Sequence, residues 1–343
     1  MTTLLEQEIR EQPDVAARLL EEALPRLHDL GDLLRSRGSE QVLLVARGSS
    51  DNAARYAQYL WQLRSRTTVT LAIPSLSTVY GVQPDLSRHA VVAVSQSGRS
   101  PDVVAVVEQA RAAGRPTLAV TNDPDSPLGR AAEAVLDLGA GAERSVAATK
   151  TYTSSVLALA LLGCALDGGR GVDDLRAAPE ALAVAVETTD GVEAAADLLA
   201  AHHRAVCVGR GLNLATALET ALKVTELTGA LVAPYSPADL MHGPVAAVGP
   251  EVPALLVAPD EPGSGSVLEA LPELRRRGAP VVVLGSTRTD VSCIPLPPGA
   301  AVADWLTPVV AVVPGQLLAW HAAERRGVDV DHPGELSKVT LTR

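Results

Sequence analysis

The sequence predicts an α/β protein built from two similar domains, each a parallel β-sheet covered by helices on both faces. Its 343 residues are enough for two domains of medium size. Apolar residues make up 47% of the chain, whereas aromatic residues make up only 2% and phenylalanine is absent. The core must therefore be filled by alanine, valine and leucine, and short runs of these residues alternate with helical patterns. Strands that are apolar on both sides are typical of parallel sheets buried between layers of helices.

One pattern occurs twice along the chain, which is why we predict two domains. Residues 42–60 (VLLVARGSSDNAARYAQYL) match 205–222 (AVCVGRGLNLATALETAL), since each has an apolar strand, Arg-Gly and a helix. Residues 110–122 match 274–286 as a helix end, a glycine and an apolar strand. The two matches are offset by 163 and 164 residues. Such agreement between separate landmarks indicates an internal duplication.

The predicted elements follow from this pattern in chain order. Residues 3–37 form helices that are interrupted at Pro13 and Pro25, because proline disrupts a helix interior. The first domain then supplies five buried strands, predicted at 42–46, 68–72, 90–94, 117–121 and 134–138. The apolar stretch 153–166 predicts a buried helix that is too short to span a membrane. We expect five segments: an N-terminal helical segment (1–29), a first domain (30–167), a partly helical linker (168–190), a second domain (191–333) and a C-terminal tail (334–343).

Charge and cysteine content narrow the class of protein. The formal net charge of −11 argues against a nucleic-acid surface, which needs a basic footprint. The N-terminal segment is charged throughout and lacks the apolar stretch of a signal peptide, and no run of about 18 apolar residues predicts a membrane span. Cys164, Cys207 and Cys293 lie in apolar surroundings without CxxC spacing, which favours reduced thiols. We therefore expect a cytoplasmic protein with neither a nucleic-acid nor a membrane partner.

The loop 95–101 (SQSGRSP) lies where a predicted strand is followed by a helix. Ligands of open parallel sheets bind at this end of the strands. Ser100 is a good helix cap, Pro101 is a good first helical residue, and Asp102 complements the helix dipole. Four residues are left without a structural role: Ser95, Gln96, Ser97 and Gly98. Because a helix N-terminus with additional hydroxyl donors suits a phosphate group, we predict a phosphate site here. The alternative is an ordinary turn whose additional hydroxyl groups bind no ligand.

Two further segments carry hydroxyl groups near predicted strand ends. One follows the first strand and consists of Gly48, Ser49 and Ser50. The other, 142–155, carries Ser145, Thr149, Thr151 and Thr153. Three such loops in one domain suit a polyhydroxylated, phosphorylated ligand better than a bare ion. The sequence therefore predicts a sugar phosphate as the ligand.

The second domain supplies charged side chains of a different kind. Glu219, Lys223 and Glu226 are spaced four and three residues apart, which places them on a single helix face. A solvated ion pair is the ordinary interpretation of such spacing, but this helix is otherwise built of alanine, leucine, valine and threonine. His242 follows shortly afterwards, before a Gly-Pro turn. Carboxylates, a lysine and a histidine are groups that serve in general acid–base catalysis.

Seven motifs are spread in order over nearly the whole chain: EIREQPDVAARLL, ARGSSDNAA, SQSGRSPD, SVAATKTYT, GRGLNLATALETALKVTELT, MHGPVAAV and VVPGQLLAWHAAERRGVDVDHPGELSKVT. Together they resemble the sugar isomerase (SIS) domain family, in particular the isomerase half of glucosamine-6-phosphate synthase and the stand-alone glucosamine-6-phosphate deaminases. The resemblance implies two tandem SIS domains, each a three-layer α/β/α sandwich.

The resemblance also implies roles for site residues. Substrate or phosphate would be bound at Gly48, Ser49, Ser50, Ser95, Gln96, Ser97, Gly98, Ser100, Val146, Ala147 and Thr149. Glu226 would move a proton between C1 and C2 of the sugar, His242 would assist ring opening, and Lys338 would reach the open-chain sugar from the tail. The catalytic candidates are completed by Glu143, Glu219 and Lys223. Since the family delivers the histidine from a neighbouring subunit, a homodimer with its active site at the subunit interface is implied.

Several activities remain open for such a site. The chain begins without a glutamine-hydrolysing domain, so we expect no synthesis from glutamine, and SQSGRSPD resembles the deaminase-type members. On glucosamine 6-phosphate, the expected products are fructose 6-phosphate and ammonia. On N-acetylglucosamine 6-phosphate, the same residues could act as a lyase that expels the C3 hydroxyl, and a non-catalytic sugar-phosphate sensor is a third alternative. No metal-ligand spacing occurs, so no metal or other cofactor is expected.

Overall fold

The structure is a computed structural model that describes residues 2–286, 290–334 and 338. The chain divides into two compact units, each discontinuous in sequence. The first-sheet unit comprises residues 14–143 and 150–176. The second-sheet unit comprises the described residues of 1–13, 144–149 and 177–338.

The first-sheet unit is built on a five-stranded parallel sheet with the strand order β2-β1-β3-β4-β5. Its strands are β1 (Gln41–Val45), β2 (Thr68–Leu71), β3 (His89–Val94), β4 (Thr117–Thr121) and β5 (Ala134–Asp137). Each begins and ends within one residue of its predicted position. Since β1 lies between β2 and β3, the loops after β1 and β3 flank the switch point at which ligands of such sheets bind.

Helix α1 (Leu4–Arg10) comes first in the chain but belongs to the second-sheet unit. The helices that follow are α2 (Gln12–Ala23), α3 (Leu27–Arg35), α4 (Ser49–Ser65), α5 (Ser75–Thr78), α6 (Pro101–Ala112), α7 (Pro127–Ala131), α8 (Lys150–Leu166) and α9 (Val172–Leu175). The helix break predicted at Pro13 lies two residues earlier, at Glu11, because proline is tolerated in the first turn of α2. Pro25 lies in a single 3₁₀ turn, Leu24–Arg26, as the predicted break requires.

Helix α8 is the main packing element of the first-sheet unit, and nearly all of its residues are buried. The indole N–H of Trp61 in α4 donates a hydrogen bond to the Leu159 carbonyl at 2.9 Å. Gly163 allows this close approach, since a Cβ there would lie only 3.0 Å from Leu60 and 3.1 Å from Trp61. The fully buried Trp61 is thus packed against a glycine of α8.

The second-sheet unit contains a second five-stranded parallel sheet, with the strand order β10-β9-β8-β6-β7. Its strands are β6 (Arg204–Val208), β7 (Leu231–Tyr235), β8 (Ala254–Val257), β9 (Val281–Gly285) and β10 (Ser292–Pro295). The first strand of this sheet lies between the second and the third, as it does in the first-sheet unit. The predicted fold class and the predicted duplication are therefore confirmed.

The helices of the second half are α10 (Ala178–Ala185), α11 (Val192–Ala200), α12 (Leu214–Thr228), α13 (Pro237–Met241), α14 (Ser264–Leu268), α15 (Leu271–Arg276) and α16 (Thr307–Arg325). Short 3₁₀ turns lie at Gly211–Asn213, Pro244–Ala247, Pro298–Ala300 and Asp304–Leu306. The segment predicted as a linker, 168–190, contains α9 and α10.

Helix α16 forms the centre of the second-sheet unit, where it packs against α10, α11 and α12. With its preceding turn it spans Asp304–Arg325, 22 residues that are long and apolar enough, by length and composition alone, to cross a membrane. However, 94% of its most apolar window is buried in the structure. A buried core helix passes the same test, so this segment is weak support for a membrane span. The cytoplasmic location stays a prediction.

Candidate functional site

The loop between β3 and α6 is shaped by its own serine hydroxyls. Ser95 Oγ accepts a hydrogen bond from the Gly98 amide at 3.2 Å, and Ser97 Oγ accepts one from the Arg99 amide at 3.3 Å. Because these hydroxyls act as acceptors, their own protons can still be donated to an anion. Gly98 has a φ of +60°, and a side chain there would collide with Ser126. The glycine is therefore required by packing, independently of any ligand.

The helix start after this loop differs in part from the prediction. Ser100 occupies the N-cap position of α6, but its side chain makes no capping hydrogen bond. Asp102 is only 1% exposed, and its Oδ2 accepts a hydrogen bond from Arg47 Nε at 2.6 Å. Its Oδ1 accepts the Val103 amide at 2.9 Å. Asp102 is thus the buried partner in an ion pair that the sequence pattern did not predict. The Arg-Gly that follows the first strand of each copy is the sequence feature that could have indicated this pair.

The loop after β1 lies at the same edge of the sheet, because β1 and β3 are parallel neighbours. Gly48 has a φ of +55° and precedes α4, which begins at Ser49. Gly48 is exposed, whereas Ser49, Ser50 and Gln96 are half-buried. Arg47 connects this loop to the β3–α6 loop through Asp102. The structure thus brings together two of the three predicted hydroxyl loops.

The third predicted segment, 142–155, is divided between the two units. Residues 144–149 belong to the second-sheet unit, whereas Thr151 and Thr153 lie in α8 of the first-sheet unit. The four hydroxyl residues predicted in this segment are all buried, and so is Ala147, while Val146 is half-buried. The segment therefore differs from the loop within a single domain that we expected. A contact between a sugar and Ala147 would have to use the backbone.

Glu143 closes the N-terminus of α8. Its side chain is 7% exposed, and its carboxylate accepts hydrogen bonds from the amide of Thr151 at 3.1 Å and from the hydroxyl of Thr151 at 2.7 Å. A carboxylate at this place complements the positive end of the helix dipole. Glu143 thus has a capping function in the structure, and its catalytic role stays a prediction.

Helix α12 places Glu219, Lys223 and Glu226 on one face, as their spacing predicts. Lys223 Nζ lies 3.5 Å from Glu219 Oε1 and donates a hydrogen bond to Glu226 Oε2. Glu219 and Lys223 are 0% and 1% exposed, whereas 28% of the Glu226 side chain is exposed. A solvated ion pair is therefore excluded. Burial of charges costs several kcal/mol per ion, so this cluster is poorly explained by stability alone and suits proton transfer.

His242 is the C-cap residue of α13 and is exposed. Gly243, with a φ of +145°, and Pro244 then turn the chain into a 3₁₀ helix. In the part of the chain that the structure describes, no hydrogen bond or ion pair joins the imidazole to the α12 charges. Its delivery to another subunit's site stays a prediction.

Lys338 is half-buried and belongs to the second-sheet unit. Its neighbours 335–337 and 339–343 lie outside the described residues. The predicted entry of the tail into the active site therefore also lies outside them, apart from Lys338 itself. Its contact with the sugar stays a prediction.

The buried polar residues that the sequence pattern did not single out include Glu8, Gln12 and Gln316. Within the second-sheet unit they make hydrogen bonds with one another or with residues 144–149. These residues lie in the motifs EIREQP and VVPGQLLAW, in which no site residue was predicted.

The buried cysteines lack nucleophilic character. Burial raises the pKa of the Cys164 thiol to about 11 and also raises the pKa of Cys207. Such thiols stay protonated at neutral pH. Among residues 2–286, 290–334 and 338, no group of three or more His, Cys, Asp or Glu side chains is placed to hold a metal ion.

Comparison with known proteins agrees with this architecture. A curated relative, the isomerizing glutamine–fructose-6-phosphate aminotransferase of Pseudomonas aeruginosa, is 32% identical over 358 aligned positions, which cover 96% of this chain and 57% of that protein. The chain thus spans less than two thirds of the length of this relative.

Solved structures share the fold over the whole chain. A protein from Silicibacter pomeroyi DSS-3, to which a phosphosugar isomerase activity has been assigned, is 32% identical with a TM-score of 0.87, covering 96% of this chain and 100% of that one. Glucosamine-6-phosphate deaminase from Thermotoga maritima has a TM-score of 0.79 at 21% identity, covering 99% and 100%; at that identity it shows the fold alone. The SIS domain model matches residues 37–165 and 198–291, more than half of the sequence. The chain therefore belongs to the SIS domain family.

Proposed function

We propose that the chain is an amino-sugar phosphate enzyme, a glucosamine-6-phosphate deaminase/isomerase that forms fructose 6-phosphate and ammonia. The observation that carries this proposal is the buried cluster of Glu219, Lys223 and Glu226, of which Glu226 reaches solvent. Membership of the SIS family supports a phosphorylated sugar as the ligand.

Glu226 is the proposed base. Once the sugar ring is open, the C2 proton is acidic because it is adjacent to the C1 aldehyde. Glu226 takes this proton from C2 and returns a proton to C1, so that the carbonyl oxidation level moves from C1 to C2. Lys223 carries the positive charge that stabilises the oxyanion developing at O1. Because the ammonium is already fixed between two carboxylates, little reorganisation is needed at the moment of reaction.

The amino group decides the outcome of this proton shift. On glucosamine 6-phosphate the shift leaves an imine at C2. Water adds to the imine carbon, the nitrogen leaves as ammonia, and fructose 6-phosphate remains, so that water is the sole co-reactant. His242 assists the initial ring opening by proton transfer, and Lys338 contacts the open-chain sugar.

The phosphate is assigned to the loop between β3 and α6 in the first-sheet unit. The 12-residue helix α6 presents its first N–H groups there, and the Ser95 and Ser97 hydroxyls add neutral donors. Asp102 would oppose an anion in the first turn of this helix. Its ion pair with Arg47 removes that repulsion.

Two separate incubations test the proposal, one with glucosamine 6-phosphate and the other with its N-acetyl form. Ammonia and fructose 6-phosphate from the first sugar are the expected products. A lyase would be identified instead if the N-acetyl sugar loses one water, as detected by mass spectrometry, and glucosamine 6-phosphate releases no ammonia. Binding of both sugars without turnover would identify a sensor.

A further inference from the structure

Helix α1 lies outside the residues matched by the SIS domain model, yet it places a buried carboxylate against the segment 144–149. Glu8 is 4% exposed. Its Oε1 accepts a hydrogen bond from the Arg144 amide, and its two oxygens lie 3.4 and 3.3 Å from the Ser145 amide. Hydrogen bonds to a carboxylate are stronger than those between neutral groups. The start of the segment is thus fixed by α1.

The end of the same segment is held through two buried glutamines. Gln12 Nε2 donates hydrogen bonds to the Ile9 carbonyl and to Gln316 Oε1, both at 2.9 Å. Gln316 Nε2 in turn donates to the Thr149 carbonyl at 3.4 Å. Helix α1, through Glu8, and the first residue of α2, Gln12, are therefore connected to the two ends of the segment.

Ser145 shows why the segment needs external support in this position. Its side chain is 0% exposed, and its Oγ has no hydrogen-bond partner within the described structure. Burial of an unpaired hydroxyl is unfavourable. The Glu8 carboxylate accepts hydrogen bonds from the backbone amide of Ser145, and these charged hydrogen bonds offset that cost and hold the segment in place.

Helix α1 is itself anchored by the C-terminal part of the chain. Asp331 accepts hydrogen bonds from the Leu4 and Leu5 amides, both at 2.9 Å. These are N–H groups that the start of a helix leaves without a partner. Asp331 precedes Lys338 by only seven residues. One helix therefore connects the chain leading to Lys338 with the segment that carries Val146.

We propose that Glu8 is a positioning residue for sugar binding, which holds the backbone of 144–149 where Val146 and Thr149 contact the sugar phosphate. The inference rests on the proposed function, since the sugar contacts of this segment are part of it. Glu8 bonds to the backbone of the segment and to no reacting atom, so it acts through the segment.

The kinetic test compares Glu8→Gln with two controls on the same helix. Glu8→Gln keeps the shape of the side chain and removes its charge. We expect KM for the sugar phosphate to rise about tenfold or more with kcat nearly unchanged, because a hydrogen bond to a charged group is worth about one to two powers of ten. Glu6→Gln changes a carboxylate that bonds to Arg10 instead, and Ile9→Val lowers stability without changing the contact. Both controls should leave KM unchanged.

Amide hydrogen exchange without sugar provides a readout that is independent of activity. In Glu8→Gln, the amides of Arg144 and Ser145 should exchange faster than in the wild type, while those of β6 stay protected. Unchanged exchange at these amides, or faster exchange with an unchanged KM, overturns the proposal. So does an equal rise of KM in Ile9→Val, which would assign the effect to stability. Faster local exchange in a protein that turns over no amino-sugar phosphate refutes the proposed function, but leaves the support of this segment by Glu8 established.

Discussion

At the scale of single residues, Glu226 is distinguished from its partners by access to solvent. Glu219 and Lys223 are buried, and each is fixed by the other, whereas 28% of the Glu226 side chain is exposed. The spacing of four and three residues predicted this common face, since side chains three and four positions apart are neighbours on a helix. The Arg47–Asp102 ion pair could not be predicted in this way, because its residues are 55 positions apart.

The first residue-scale prediction concerns Glu226→Gln. This substitution keeps the shape of the side chain and removes its basicity, so kcat should fall by about 10²–10⁴-fold with little change in KM. Exchange of the C2 hydrogen with solvent deuterium, followed by NMR, should be lost to the same extent. Glu251→Gln, at an exposed glutamate of the same unit, is the control and should retain full activity. If C2 exchange persists in Glu226→Gln, another base operates, and Glu219 becomes the candidate.

At the scale of elements, the proposed phosphate site is formed by β3, the loop that follows it and α6. We expect Ser97→Ala to raise KM for 6-phosphorylated sugars about ten- to a hundredfold, since a lost hydrogen bond to a charged group costs about 1.5–3 kcal/mol. The melting temperature should change little, because Ser97 is half-buried and supports only one turn of the loop. Ser87→Ala, in the exposed loop before β3, serves as the control. A lower melting temperature with an unchanged KM would mean that Ser97 shapes the loop without binding phosphate.

The central strands of the first sheet, β1, β3 and β4, were predictable because each contains a run of apolar residues, whereas the edge strand β2 alternates threonine with valine and leucine. Helix ends were less predictable, as Pro13 shows: a proline is compatible with the first turn of a helix, so it does not mark the break itself. The role of 144–149 was not predictable either. Its burial depends on α1, more than 130 residues earlier in the chain, and such a contact leaves no local pattern in the sequence.

At the scale of the whole molecule, the two sheets have the same strand order but different loops at their switch points. Where the first sheet has serines after β3, the second has Asp260 and Glu261 after β8. Burial raises the pKa of Glu261, whose Oε2 accepts a hydrogen bond from the Gly263 amide at 2.8 Å. The Glu261 carboxylate therefore already accepts the hydrogen bond that the Gly263 amide of that loop can donate. The duplicated domains have therefore specialised, one in hydroxyl loops and the other in a buried charge cluster.

The predicted homodimer can be tested at the scale of the whole molecule. His242 is exposed, and the resemblance to the family implies that a partner subunit receives it. A mixture of Glu226→Gln and His242→Ala chains, each inactive alone, should then regain activity after subunit exchange. In a mixed dimer one site carries both substitutions and the other carries neither, so about a quarter of wild-type activity is expected when half of the dimers are mixed. Absence of recovery after confirmed exchange would place His242 in the site of its own chain.

The discontinuity of the second-sheet unit has a consequence for synthesis on the ribosome. Helix α1 is synthesised long before α16, against which it packs, and before Asp331, which accepts hydrogen bonds from its first amides. At about 5–20 residues per second, the delay is on the order of 15–60 s. During this time Leu5 and Ile9, fully buried in the finished protein, are without their native contacts. The nascent chain can complete the first-sheet unit meanwhile, and docking of helix α1 then becomes a late step of folding.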